Sequence, residues 1–220
     1  MGEGMEVGER IIYDWLPKED FDRQRESFIE KNKGQFLDFF QSEEQFANLT
    51  PELQEAGAEL ITRFFFGVHM AYRRFGFKYP IYGITYDVSD RNDYDGIGFH
   101  HERNEYIVKV KLLRQLLENT EEDGRCFIQG GGIERMIPAG DFFEITGVEE
   151  AAHLMFFNEK GHSGKGPISG VEEEYKYYTS DMESRALKWK LAYVKRYFPQ
   201  YQDSLVKTSE KVKEIRLSSN

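Results

Sequence analysis

The stretch Asp141 to Asn158, DFFEITGVEEAAHLMFFN, combines a helix start, an apolar stripe and three ionisable groups in one short run. Asp141 with Glu144 three residues on is the carboxylate form of a capping box, so the spacing predicts a helix that begins there and runs to about Phe157. Its apolar stripe reads Phe142, Ile145, Ala152 and Phe156. At 3.6 residues per turn, Glu149 and His153 fall one turn apart on that stripe, which sets a carboxylate and an imidazole side by side on the inward face. Glu150 is displaced from Glu149 by about 100°. Two potential ligands at i and i+4 with a further carboxylate at i+1 is an arrangement that can hold a divalent metal and activate a water bound to it.

The run Glu149-Glu150-Ala151-Ala152-His153 resembles the H-E-x-x-H active-site helix of zincin-type metallopeptidases, with glutamate in place of the first histidine. Downstream, Tyr177-Tyr178-Thr179-Ser180-Asp181-Met182-Glu183-Ser184-Arg185-Ala186 resembles the second element of the gluzincin-like branch, a Tyr-rich lead-in followed by E-x-x-A at the start of a helix. The resemblance implies an α+β, zincin-like fold in which a small mixed sheet packs on helices. It implies one divalent metal held by Glu149, His153 and Glu183, and Glu150 as the base that activates a metal-bound water for peptide or amide hydrolysis. Zinc is the default metal, and two carboxylates with one imidazole also suit manganese or iron. His162, Tyr178 and His101 are the candidate outer-sphere or substrate-facing groups. The third histidine of metzincins is missing, since its position holds Glu159.

Plainer readings compete with each ligand. Glu149 and Glu150 also suit a solvated helix face, His153 a satisfied core histidine, and Glu183 the last member of a Ser180-x-x-Glu183 capping box, which would turn it away from any metal. The ligand reading is favoured because all three groups fall on apolar stripes, the second being Leu187, Leu191, Val194 and Phe198, and uncompensated charge there is expensive. The departure at Glu149 motivates the alternative function, a catalytically inactive zincin-like protein serving as a binding or regulatory module. Glu150-x-x-His153 also suggests a carboxylate-bridged di-metal bundle, but that class needs an all-helical bundle, and the middle of this chain reads as strands.

Around these motifs, 220 residues suffice for one sizeable core. The expected division is an N-terminal helical arm over 1–48, the zincin-like domain over 49–200 and a polar tail over 201–220. A leader whose cluster Ile11, Ile12, Tyr13, Trp15 and Leu16 docks on the body precedes one interrupted or two consecutive helices through about Phe46, with Gly34 as the weak point. Thr50-Pro51 opens a long helix ended by Gly76, expected to back the sheet, with His69 at the edge of its apolar face. Strands follow over 79–88, 97–101 and 106–110, a short helix at Leu112–Leu117, and two strands over 126–128 and 133–137 around three glycines. His101-Glu102-Arg103-Asn104-Glu105 mimics a metal helix but leads into the strand-forming Tyr106–Val110, where neighbouring side chains take opposite faces. Gly161–Pro167 lacks the spacing of a phosphate loop and is expected to be a mobile loop over the cleft.

With 39 acidic against 29 basic residues the formal charge is −10, which disfavours nucleic acid or an anionic membrane surface and leaves a peptide or protein partner, preferably basic. Cys126 stands alone, so neither an internal disulfide nor a Cys-based zinc site can form. The absence of a signal-like start or a long apolar run sets the expectation of a cytoplasmic protein.

Overall fold

The computed structural model describes residues 15–75, 83–87, 97–100, 105–109, 125–127, 136–160 and 181–203. Helix α1 spans Lys18–Ser42, a 3-10 turn Glu44–Phe46 follows, and α2 spans Pro51–Phe75. Five strands come next: β1 Gly83–Asp87, β2 Ile97–His100, β3 Glu105–Lys109, β4 Arg125–Phe127 and β5 Met136–Pro138. Helix α3 spans Ala139–Lys160, α4 spans Asp181–Tyr197, and a 3-10 turn covers Pro199–Tyr201. None of these helices is long and apolar enough to cross a membrane.

The described core is helix on helix, which corrects the expectation of an α+β zincin-like domain with a sheet packed on helices. Every buried apolar side chain of that core except Ile137 comes from a helix or from the turns that flank one. The strands are three to five residues long and pair in two separate ladders, β1–β3–β2 and β4–β5. β3 runs parallel to β1 and antiparallel to β2, with His100 opposite Glu105, and β4 is antiparallel to β5, with Cys126 opposite Ile137. Among the described residues α2 packs chiefly on helices and not on the expected sheet. Its most extensive contact is with α3, followed by that with α1.

That contact depends on two glycines. A Cβ on Gly67 would fall inside the van der Waals shell of the Glu144 carbonyl oxygen and beside the Val148 amide, and a Cβ on Gly147 would meet the Phe64 carbonyl oxygen and the Val68 amide in the same way. The contact is reciprocal, backbone against backbone, and the sequence shows why: G-V-x-x-A occurs at Gly67–Ala71 and again at Gly147–Ala151, with Val68, Ala71, Val148 and Ala151 all buried. Small residues at the crossing bring the two helices close enough for α3 to be buried on every side from Phe143 to Val148.

The remaining packing follows from aromatic residues. Phe21, Phe36 and Phe40 are the buried positions of α1, and the Phe40 ring lies under Gly57 of α2, where a Cβ would sit 2.7 Å from it. Helix α1 continues through Gly34, which faces open space and so breaks nothing. Thr50 caps α2 as expected: its Oγ1 accepts from the Leu53 amide at 3.4 Å, with Pro51 as the first helical residue. Trp15 is buried against Tyr193 and Tyr197, and the Leu16 carbonyl accepts from the Tyr197 hydroxyl at 3.0 Å, so this part of the leader docks on the body. Phe21 stacks on Tyr197 with ring centroids 3.7 Å apart. The buried face of α4 is therefore Ala186, Trp189, Tyr193, Val194 and Tyr197, whereas Leu187 and Leu191 are only partly buried. Aromatic residues outcompete leucines for that face because each buries more apolar area.

Candidate functional site

Helix α3 begins at Ala139, two residues before the capping box anticipated at Asp141. Asp141 lies in its first turn, where a carboxylate is favoured by the helix dipole, and Glu144 does not fold back as a cap. Instead Glu144 is fully buried: its Oε1 accepts from the Tyr193 hydroxyl of α4 at 2.8 Å, and its Oε2 lies 3.3 Å from Arg63 Nη2 of α2 and 4.0 Å from Arg25 Nη1 of α1. Arg63 Nη2 also donates to Asp141 Oδ1 at 2.5 Å, and the Tyr201 hydroxyl donates to Asp141 Oδ2 at 2.8 Å. A single carboxylate thus faces groups from each of the other three described helices.

The electrostatics follow from that burial. Desolvation raises the Glu144 carboxyl above its ordinary range, opposed by Arg63, Arg25 and the Tyr193 hydroxyl and assisted by the neighbouring Asp141. Tyr193 is held well above a normal phenol by burial and by Glu144. Arg63 stays charged, because the two carboxylates outweigh its desolvation.

Five residues further along α3 lies the expected metal helix. Glu149 is partly buried, and its Oε2 accepts from Lys190 Nζ of α4 at 2.5 Å. Burial alone would raise the Glu149 carboxyl, but the Lys190 ammonium, the neighbouring His153 and the hydrogen bond from Lys190 together hold it below its ordinary value. His153 is buried one turn on, as the i, i+4 spacing requires, and Glu150 is partly exposed. Glu183 is the third residue of α4, and its side chain lies outside the described residues. His101, His162 and Tyr178 lie outside them as well.

Among the described residues no group of three or more His, Cys, Asp and Glu side chains could hold a metal ion. Of the expected ligands, only Glu149 and His153 have described side chains. Glu149 Oε2 carries a lysine ammonium at 2.5 Å, and a metal on that oxygen would have to displace that charge or stand against it.

Lys190, Arg63, Arg25, Tyr193 and Tyr201 were not singled out by sequence reasoning, though a signal for the central pair exists. Arg63 interrupts the apolar run Leu60-Ile61-Thr62-Arg63-Phe64-Phe65-Phe66, and Glu144 interrupts Phe142-Phe143-Glu144-Ile145. A charge inside an apolar run requires a buried opposite charge, and each of these runs supplies the other's.

Comparison with known proteins gives no assignment: no family model matches the chain, and no curated protein or solved structure matches it significantly.

Proposed function

We propose that the chain is a non-catalytic binding or regulatory module whose partner is a basic peptide or protein. The observation that carries this reading is the Lys190–Glu149 ion pair: the carboxylate that would serve as first metal ligand instead joins α3 to α4. The Arg63–Asp141–Glu144–Tyr193 group is likewise turned inward, tying helices together. Groups locked in such pairs supply rigidity to a scaffold, and the formal charge of −10 supplies the long-range attraction for a cationic partner.

The test has two arms. In calorimetric titration with zinc and with manganese, the purified chain takes up no stoichiometric metal, and a peptide mixture incubated with it is not cleaved. In fluorescence anisotropy, a labelled Lys/Arg-rich peptide binds with an affinity that falls as salt rises, while an acidic peptide of equal length does not bind. Stoichiometric zinc together with hydrolysis that disappears in Glu150→Gln would overturn this reading and establish a metal-dependent amide hydrolase. Equal affinity for the two peptides would remove the basic partner.

A further inference from the structure

The Glu144 junction has a charge distribution that a simple set of ion pairs would not need. Each guanidinium facing Glu144 lies nearer to another carboxylate. Arg63 Nη2 is 2.5 Å from Asp141 and 3.3 Å from Glu144; Arg25 is 3.3 Å from Asp22 through Nη2 and 4.0 Å from Glu144 through Nη1. Lys18, the other cation of this region, is half-exposed and reaches Asp22, not Glu144. Glu144 is therefore the second choice of both arginines and the most deeply buried of the three carboxylates, with a side chain at 0% exposure against 15% for Asp141 and 37% for Asp22. Where every guanidinium within reach lies closer to another carboxylate, the carboxylate with least access to water is the one that takes a proton.

The local geometry accepts that proton. A hydroxyl both donates and accepts, so the Tyr193 oxygen, 2.8 Å from Glu144 Oε1, can receive a hydrogen bond from a protonated Oε1 while Oε2 continues to accept from Arg63. Both oxygens of the neutral acid then have partners and Arg63 keeps its ion pair with Asp141, while the Tyr193 hydroxyl gives up Glu144 as its acceptor.

We propose that Glu144 is a proton-binding site at the junction of α1, α2 and α4 on α3, neutral in the tightest form of the molecule, so that the junction loosens as the pH rises and the carboxylate becomes charged. The groups facing it are Arg25 from α1, Arg63 from α2, Asp141 from α3 itself and Tyr193 from α4, with Tyr201 bonded to Asp141 behind them. The sign follows from linkage. A group whose folded form holds its proton more tightly than the unfolded chain contributes stability that is present below the unfolded value and lost as the pH rises through the folded one. Burial acts in that direction on Glu144.

Glu144→Gln reproduces the neutral acid, since its amide can donate to Tyr193 and its carbonyl can accept from Arg63. Thermal unfolding of wild type and Glu144→Gln from about pH 5 to about pH 8 reads the difference. His69, which meets Phe28 of α1, and Glu149 also titrate, but both proteins contain them and their direct contributions cancel in the comparison. The expected result is a variant that gains on wild type as the pH rises and unfolds roughly 2–4 °C higher at the alkaline end. A variant that loses on wild type as the pH rises, or whose difference from wild type does not change with pH, overturns the proposal. Should the variant fail to fold, the carboxyl 13C resonance of Glu144 in the wild-type protein decides. Ionisation above the ordinary glutamate range supports a proton site, and ionisation at or below that range refutes it.

Discussion

Two glutamates five residues apart on α3 have opposite surroundings. Glu144 sits at the crossing of α2 and α3 without exposure, shares its arginines with closer carboxylates and is pushed up by burial. Glu149 is one-fifth exposed, has an ammonium to itself at 2.5 Å and is held down by it. What separates them is not depth alone but whether a cation is dedicated or shared. A dedicated, well-placed cation outweighs partial desolvation, and a shared one does not outweigh complete burial. Their contributions to stability consequently run in opposite directions with pH, that of Glu149 being present above the ordinary glutamate value and lost as the pH falls through its lowered one.

The change expected to have the largest effect removes the frame that holds both sites. Gly147→Val forces a side chain into the Phe64 carbonyl and separates α2 from α3, so a loss at or above about 3 kcal/mol is expected in chemical denaturation. A variant with wild-type stability would mean that the helices are not in backbone contact.

Next comes Arg63→Met, which leaves Asp141 and Glu144 without their common guanidinium. The expected loss is about 3–5 kcal/mol near neutrality and less in acid, where the carboxylates can be protonated. A pH-independent loss would show that Arg63 acts by packing alone.

Lys190→Met sharpens the contrast from the other side. With its cation gone, Glu149 should behave more like Glu144, its carboxyl rising because burial is no longer opposed by the ammonium. The expected loss is smaller, about 1–2 kcal/mol, since both partners are partly solvated. A double-mutant cycle with Glu149→Gln should recover most of it as coupling; no coupling would show that the pair contributes nothing measurable.

The smallest expected effect is a gain. Gly34→Ala lies on an open face of α1, away from both glutamates, and should stabilise by about 0.4–1 kcal/mol, adding to any of the changes above. A strong departure from additivity would mean that α1 senses the junction over its whole length.

Local chemistry was legible in the sequence wherever one residue's preference decides the outcome. Thr50-Pro51 marked the start of α2, and the i, i+4 relation of Glu149 and His153 held because helical spacing is fixed by the backbone. What could not be read was which helix would meet which. Of the stripe assigned to α4, Val194 and Phe198 are buried but Leu187 and Leu191 only partly so, and the stripe left out the buried Trp189, Tyr193 and Tyr197; a stripe marks only the apolar residues of one helix and says nothing of their partner. Glu144 matched a capping box because Asp-x-x-Glu is a local pattern, and its true partners lie 81 and 49 residues away. The α+β architecture was implied by the zincin-like resemblance, with short β-branched and aromatic runs beside it; the described runs pair as strands, but the backbone contact at Gly67 and Gly147 makes helix on helix the described core. The repeated G-V-x-x-A was the one visible sign of that contact.

The docking of Leu16 on Arg196 and Tyr197 spans 180 and 181 residues of chain and sets an order of events during synthesis. Helices α1 and α2 are local neighbours and can pair as soon as both are made, but the Phe21 ring, whose stacking partner is Tyr197, has no lid until α4 emerges. Until then an aromatic surface destined for the interior faces solvent, and the closing contact is among the most distant the chain can make. Ribosome-bound chains halted before α4 should therefore bind hydrophobic-surface dyes and holding chaperones, and release them once α4 is complete.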